Sequence, residues 1–176
     1  MRKQEREVDY ARKHQRVGWW ALVAFLVLGF VLEALHGLKV SWYLDAGMQP
    51  RRLMWTLAHA HGTLISLIHI AFALTLRAEA CALPWVRRAS LCLVSSSILL
   101  PGGFFLGGVS VHGGDPNPAV IIVPIAALVL IAGVVFAALA LRVSTRDDDP
   151  RHAGKRGGPG PARRRGASGS SCGSRG

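Results

Sequence analysis

Five side chains of this sequence have the chemistry to hold a metal, a porphyrin or a proton, and helices would carry them to similar depths. They are Glu33, His36, His59, His61 and His112. His59 and His61 lie with His69 in one apolar run bounded by arginines, RRLMWTLAHAHGTLISLIHIAFALTLR, residues 51–77. Imidazoles in such a run need a partner, because hydrocarbon offers no water to bond them. A b-type haem takes imidazoles from two helices at matching depth, with small residues beside the flat ring. His59 or His61 paired with His36 or His112 would meet that need, with space from Gly62, Gly102 and Gly103. A copper or zinc site would use three of the same histidines, with Glu33 as a fourth or outer ligand. Both cofactor classes stay open at this point.

Other chemistries are excluded by missing parts. Glu33 and His36 have the Glu-x-x-His spacing of di-iron bundles, but the other helices lack the further carboxylates such sites need. There is no phosphate-binding glycine loop, no Ser-His-Asp set of matching depth and no zincin motif. Cys81, Cys92 and Cys172 form no CxxC and no metal-ligand spacing. Asp115, in GGDPNP, reads as a turn former. His69 alone reads as structural, His14 as solvated and incidental, and His152 as outside any site. The chain is therefore expected to be non-catalytic.

The elements that must position these groups follow from where charge and apolarity fall. The chain has 176 residues, 51% hydrophobic, with a formal net charge of +11. Its apolar residues come in blocks with the charges between them, which is the pattern of a polytopic membrane protein. The expected fold is all-α, a bundle of four transmembrane helices at about 17–38, 53–76, 89–109 and 119–141. Residues 1–16 form a basic juxtamembrane segment, and residues 142–176 a disordered Gly, Pro, Ser and Arg tail. Pro101-Gly102-Gly103 predicts a kink, and Gly103 and Gly107 a close approach to a neighbouring helix. With both termini inside, eighteen Lys and Arg lie on the inner side and three on the outer. That asymmetry predicts a cytoplasmic location for both termini in a bacterial inner membrane, where the basic ends attract anionic lipid. No nucleic-acid recognition motif accompanies the charge, so nucleic acid is not expected as a partner.

This topology sends Glu33, His36, His59, His61, His112 and Asp115 to the outer third of the membrane. His69, ten residues beyond His59, lies about 15 Å deeper. At 100° per residue, Arg52, Thr56, His59, Gly62, Thr63, Ser66 and His69 share one wedge of their helix, which should face the interior. His61 points almost oppositely, toward a different neighbour or a subunit partner.

The segment RRLMWTLAHAHGTLISLIHI, matched over residues 52–69, resembles the histidine-bearing helices of haem-copper oxidase and nitric oxide reductase catalytic subunits. It lacks their twelve-helix frame and copper-holding histidine pair, so the resemblance implies a haem or metal ligand at His59 or His61 and no oxidase chemistry. The whole chain also resembles small bacterial four-helix membrane proteins with a HAHG segment. Three functions are carried forward. The leading one is an inner-membrane protein with a periplasm-side histidine cluster that binds haem b or a transition metal. The alternatives are a structural or assembly subunit of a larger membrane complex, docking a membrane-protein partner or a second copy, and a small proton-coupled transporter using Glu33 and His59.

Overall fold

The computed structural model describes residues 2–79, 81–111 and 115–147. His112, His152, Cys172 and the tail from 148 onward lie outside these residues. Helix α1 spans Arg2–Gly37, the short α2 Ser41–Leu44, α3 Gln49–Ala78, α4 Leu83–Val109 and α5 Ile122–Asp147. Single 3₁₀ turns at Ala46–Met48 and Pro118–Ile121 lead into α3 and α5. Proline stands in the first turn of α3 and of α4, where its missing N–H has no helical partner to lose. Four stretches are long and apolar enough to cross a membrane: Val8–Gly37, Ala46–Ala78, Leu83–Val109 and Pro118–Leu141.

The first stretch begins well before the expected boundary at 17. The charged segment is continuous with the helix because nothing between Arg2 and Gly37 breaks it. Its face at Ala11, His14 and Gly18 is spaced three and four residues apart, and all three are buried. Residues 8–16 are thus part of the packed structure.

The helices pack in chain order, α1 on α3, α3 on α4 and α4 on α5, and among the described residues no substantial contact joins α1 to α5. The four-helix bundle is therefore open on one side. Two apolar cores fill it. One gathers Ala11, Phe72, Leu76, Val86, Leu93 and Ala140 near the basic end, the other Met54, Ala58, Ile65, Leu100, Phe104 and Ala126 toward the opposite end.

Close approach is set by small residues. A Cβ on Gly18 of α1 would stand 2.9 Å from the Ser66 carbonyl oxygen and 3.1 Å from His69 Cβ. On Gly62 of α3 it would meet the Phe25 ring at 2.4 Å. Gly103 and Gly107 meet Val123 and Val120 where α5 begins, as the spacing predicts. In α4 the buried Pro101 removes one helical hydrogen bond. Ser96 and Ser97 donate back to the carbonyls of Leu93 and Val94, so their hydroxyls need no other partner.

Residues 51–55 of α3 cap the far end of α4. Arg51 donates to the Gly108 and Val109 carbonyls at 3.0 and 3.2 Å, and Trp55 Nε1 to the Phe105 carbonyl at 3.1 Å. The Gly108 and Val109 carbonyls belong to the last turn of α4, which has no intrahelical donors left for them. Arg52 holds the end of α2 in the same way, through the Leu44 carbonyl at 3.1 Å.

Gly18→Ala is expected to destabilise the protein by about 1–3 kcal/mol, because backbone as well as side chain stands in the way. Gly102→Ala, where a Cβ meets nothing within 4 Å, is expected to be neutral or stabilising by about 0.5–1 kcal/mol. Thermal unfolding measures both.

Candidate functional site: the histidines of α1 and α3

His14 on α1, His69 on α3 and Ser90 on α4 meet in the interior, with 0%, 0% and 2% of their surfaces exposed. His14 Nδ1 lies 2.6 Å from His69 Nδ1, and His14 Nε2 lies 2.8 Å from Ser90 Oγ. The edge of Phe72 packs on the His14 ring, with centroids 4.9 Å apart. Two nitrogens at this separation have room for one hydrogen between them. One ring therefore donates and the other accepts.

The hydrogen accounting leaves two arrangements for the neutral pair. In one, His69 donates to His14, which donates in turn to Ser90, and His69 Nε2 is left as a bare acceptor. In the other, Ser90 donates to His14, His14 donates to His69, and His69 Nε2 carries a hydrogen. His69 Nε2 is buried without a hydrogen bond of good geometry.

The two histidines of the HAH segment are held differently. His59 Nδ1 lies 2.7 Å from the Phe25 carbonyl oxygen of α1, and His61 Nδ1 lies 2.9 Å from the Leu57 carbonyl oxygen one turn back on α3. A carbonyl oxygen only accepts, so each Nδ1 carries a hydrogen, and in the neutral ring Nε2 then keeps its lone pair. The His59 ring lies over Gly29, where a Cβ would come within 2.4 Å of it. His61 sits against Phe104 of α4, with ring centroids 4.9 Å apart and the planes tilted by 32°. Thus His59 faces α1, and His61 meets α4.

The remaining expected ligands stand apart. Glu33 and His36 are exposed near the end of α1. Gly29 is opposite His59, so His36, seven residues further on, is about 10 Å away along the axis. The level set expected from topology is not seen for this pair, because α1 and α3 are registered by Gly18, Gly29 and Gly62. Asp115 is exposed, and His112 lies outside the described residues. Among the described residues, no three His, Cys, Asp or Glu side chains come together in a way that could hold one ion.

The interior wedge on α3 is seen in part: Gly62, Ser66 and His69 are buried, while Thr56 is exposed and Arg52, His59 and Thr63 are half-buried. Reading His14 as solvated is corrected, because helical burial extends below the charged residues around it. The signal was present in the sequence as the stripe Ala11, His14, Gly18, hidden by its charged neighbours.

His14→Leu and His69→Leu are each expected to cost about 1–3 kcal/mol, since either leaves a buried nitrogen without its partner. The double variant is expected to cost clearly less than their total, because it removes both halves of the contact. A double-mutant cycle on thermal or denaturant unfolding checks this.

No family model, curated protein or solved structure matches the chain.

Proposed function

We propose that this protein is a multi-pass protein of a bacterial inner membrane, with both termini in the cytoplasm. In this reading His59 and His61 of α3 bind a transition-metal centre, haem b or a copper or zinc ion, and the protein is not itself a catalyst. One observation carries the ligand assignment. Both rings bond a backbone carbonyl through Nδ1 and keep Nε2 free. Metal-ligating histidines are commonly held in this way, because the second nitrogen's bond fixes the tautomer and the ring's direction and raises its basicity. The resemblance of the HAHG segment to haem-ligating helices supports the same two residues.

His59 and His61 face different helices, so each supplies one bond to a centre. The remaining ligands come from residues such as His112, or from a second copy of the chain. His36, about 10 Å along α1 from the level of His59, is not needed. The orientation rests on the eighteen-to-three distribution of Lys and Arg in the sequence.

A second reading is an assembly subunit without a cofactor. It is favoured by the openness of the bundle, since the apolar windows of α1 and α5 are each only 11% buried within the chain.

The test is to purify the protein from cells replete with haem, iron, copper and zinc, then record its absorption spectrum and metal content. A haem band or a stoichiometric metal is expected. His59→Ala or His61→Ala should weaken binding at least about tenfold, and His36→Ala should leave it unchanged. A colourless, metal-free protein would rule out the ligand reading in favour of the assembly subunit. Reporter fusions after residue 147 should be active only in the cytoplasm. A periplasmic signal would reverse the orientation.

A further inference from the structure

The outward face of α1 is a single ridge whose chemistry changes in order along its length. At 100° per residue, Asp9, Arg12, Lys13, Arg16, Trp20, Val23, Val27, Phe30 and Val31 fall within about 100° of arc. All of them are exposed. The core face, with Ala11, His14, Gly18 and Leu32, lies on the opposite side. Trp20 is 75% exposed and Phe30 74%, so the ridge is bare of other protein along its whole length.

We infer that this ridge binds one anionic phospholipid of the inner leaflet, lying along α1. This assignment rests on the membrane reading above and names a lipid and its place. Arg12, Lys13 and Arg16 line a shallow groove with Asp9 and Val17, giving three cations and one carboxylate. The excess of positive charge complements a phosphodiester and disfavours a zwitterionic headgroup, whose own cation it repels. Trp20 stands one turn above Arg16, at the level where an indole sits between headgroup and chain. Val23, Val27 and Phe30 then run about 10 Å further, as a wall for an acyl chain. Lys and Arg on such a ridge extend along it with their charges toward water. On the same stretch of α1, Gln15 is held by Arg77 of α3, so that arginine is already engaged.

The experiment follows thermal unfolding of the full chain in neutral detergent during titration with phosphatidylglycerol or with phosphatidylcholine of the same acyl chains. Phosphatidylglycerol is expected to raise the midpoint and to saturate near one lipid per chain. Phosphatidylcholine and inorganic phosphate should give little shift. The variant Arg12→Gln/Lys13→Gln/Arg16→Gln replaces exposed side chains and should melt normally without lipid. Its apparent affinity for phosphatidylglycerol should fall at least about tenfold, and added salt should have the same effect on the wild type. Equal stabilisation by the two lipids, or undiminished binding by the triple variant, would overturn the headgroup site alone. A chain that is monodisperse without detergent and insensitive to both lipids would overturn the membrane reading with it.

Discussion

Helices α1 and α3 approach closely enough for imidazoles to bond across the gap, and the arrangement of polar groups in the interior depends on that approach. Three glycines permit it. Gly18 brings α1 against the Ser66 backbone, Gly29 leaves room for the His59 ring, and Gly62 receives the Phe25 ring. Without this proximity, His59 Nδ1 would lose the Phe25 carbonyl and His14 Nδ1 would lose His69 as a partner. A buried polar group in that position costs several times what a hydrogen bond contributes. The small residues and the histidines are therefore one feature seen from two helices.

The contact also divides the histidines by role. At the basic end, His14 and His69 satisfy one another and Ser90, so their nitrogens are largely consumed in tying α1, α3 and α4 together. Toward the middle of α3, His59 and His61 spend one nitrogen each on a carbonyl and keep the other. In the proposed reading the first pair serves interhelical cohesion and the second ligation, although all four side chains are chemically the same. Arg51 and Trp55 complete the frame by closing the last turn of α4, so the α3 segment with the HAHG motif is fixed at both of its neighbours.

Much of this is legible in the sequence. Four apolar blocks bounded by charge give four long helices, and Gly103 and Gly107 do sit at a close helix contact. The opposed directions of His59 and His61 follow from helical geometry alone. Depth was legible only coarsely, since rise per residue places a group along its own helix but does not fix the register between helices. That register comes from which glycine lies beneath which ring, a pairwise fact that one helix's pattern does not contain. His14 was missed for a related reason. Arg12, Lys13 and Arg16 dominate the composition of its segment, while the burial of its face depends on Phe72 of α3 and Ser90 of α4, far away in sequence.

The central claim is that backbone carbonyls hold His59 and His61 with hydrogen on Nδ1 and a bare Nε2. The direct measurement is a nitrogen spectrum of ring-labelled histidine in the membrane-reconstituted, metal-free protein at neutral pH. Signals are assigned by their loss in His59→Gln and His61→Gln. The account predicts that both rings are neutral Nδ1–H tautomers. Finding hydrogen on Nε2 of either ring would contradict it, because a ring in that form has no lone pair to offer at the position where the ligand is expected.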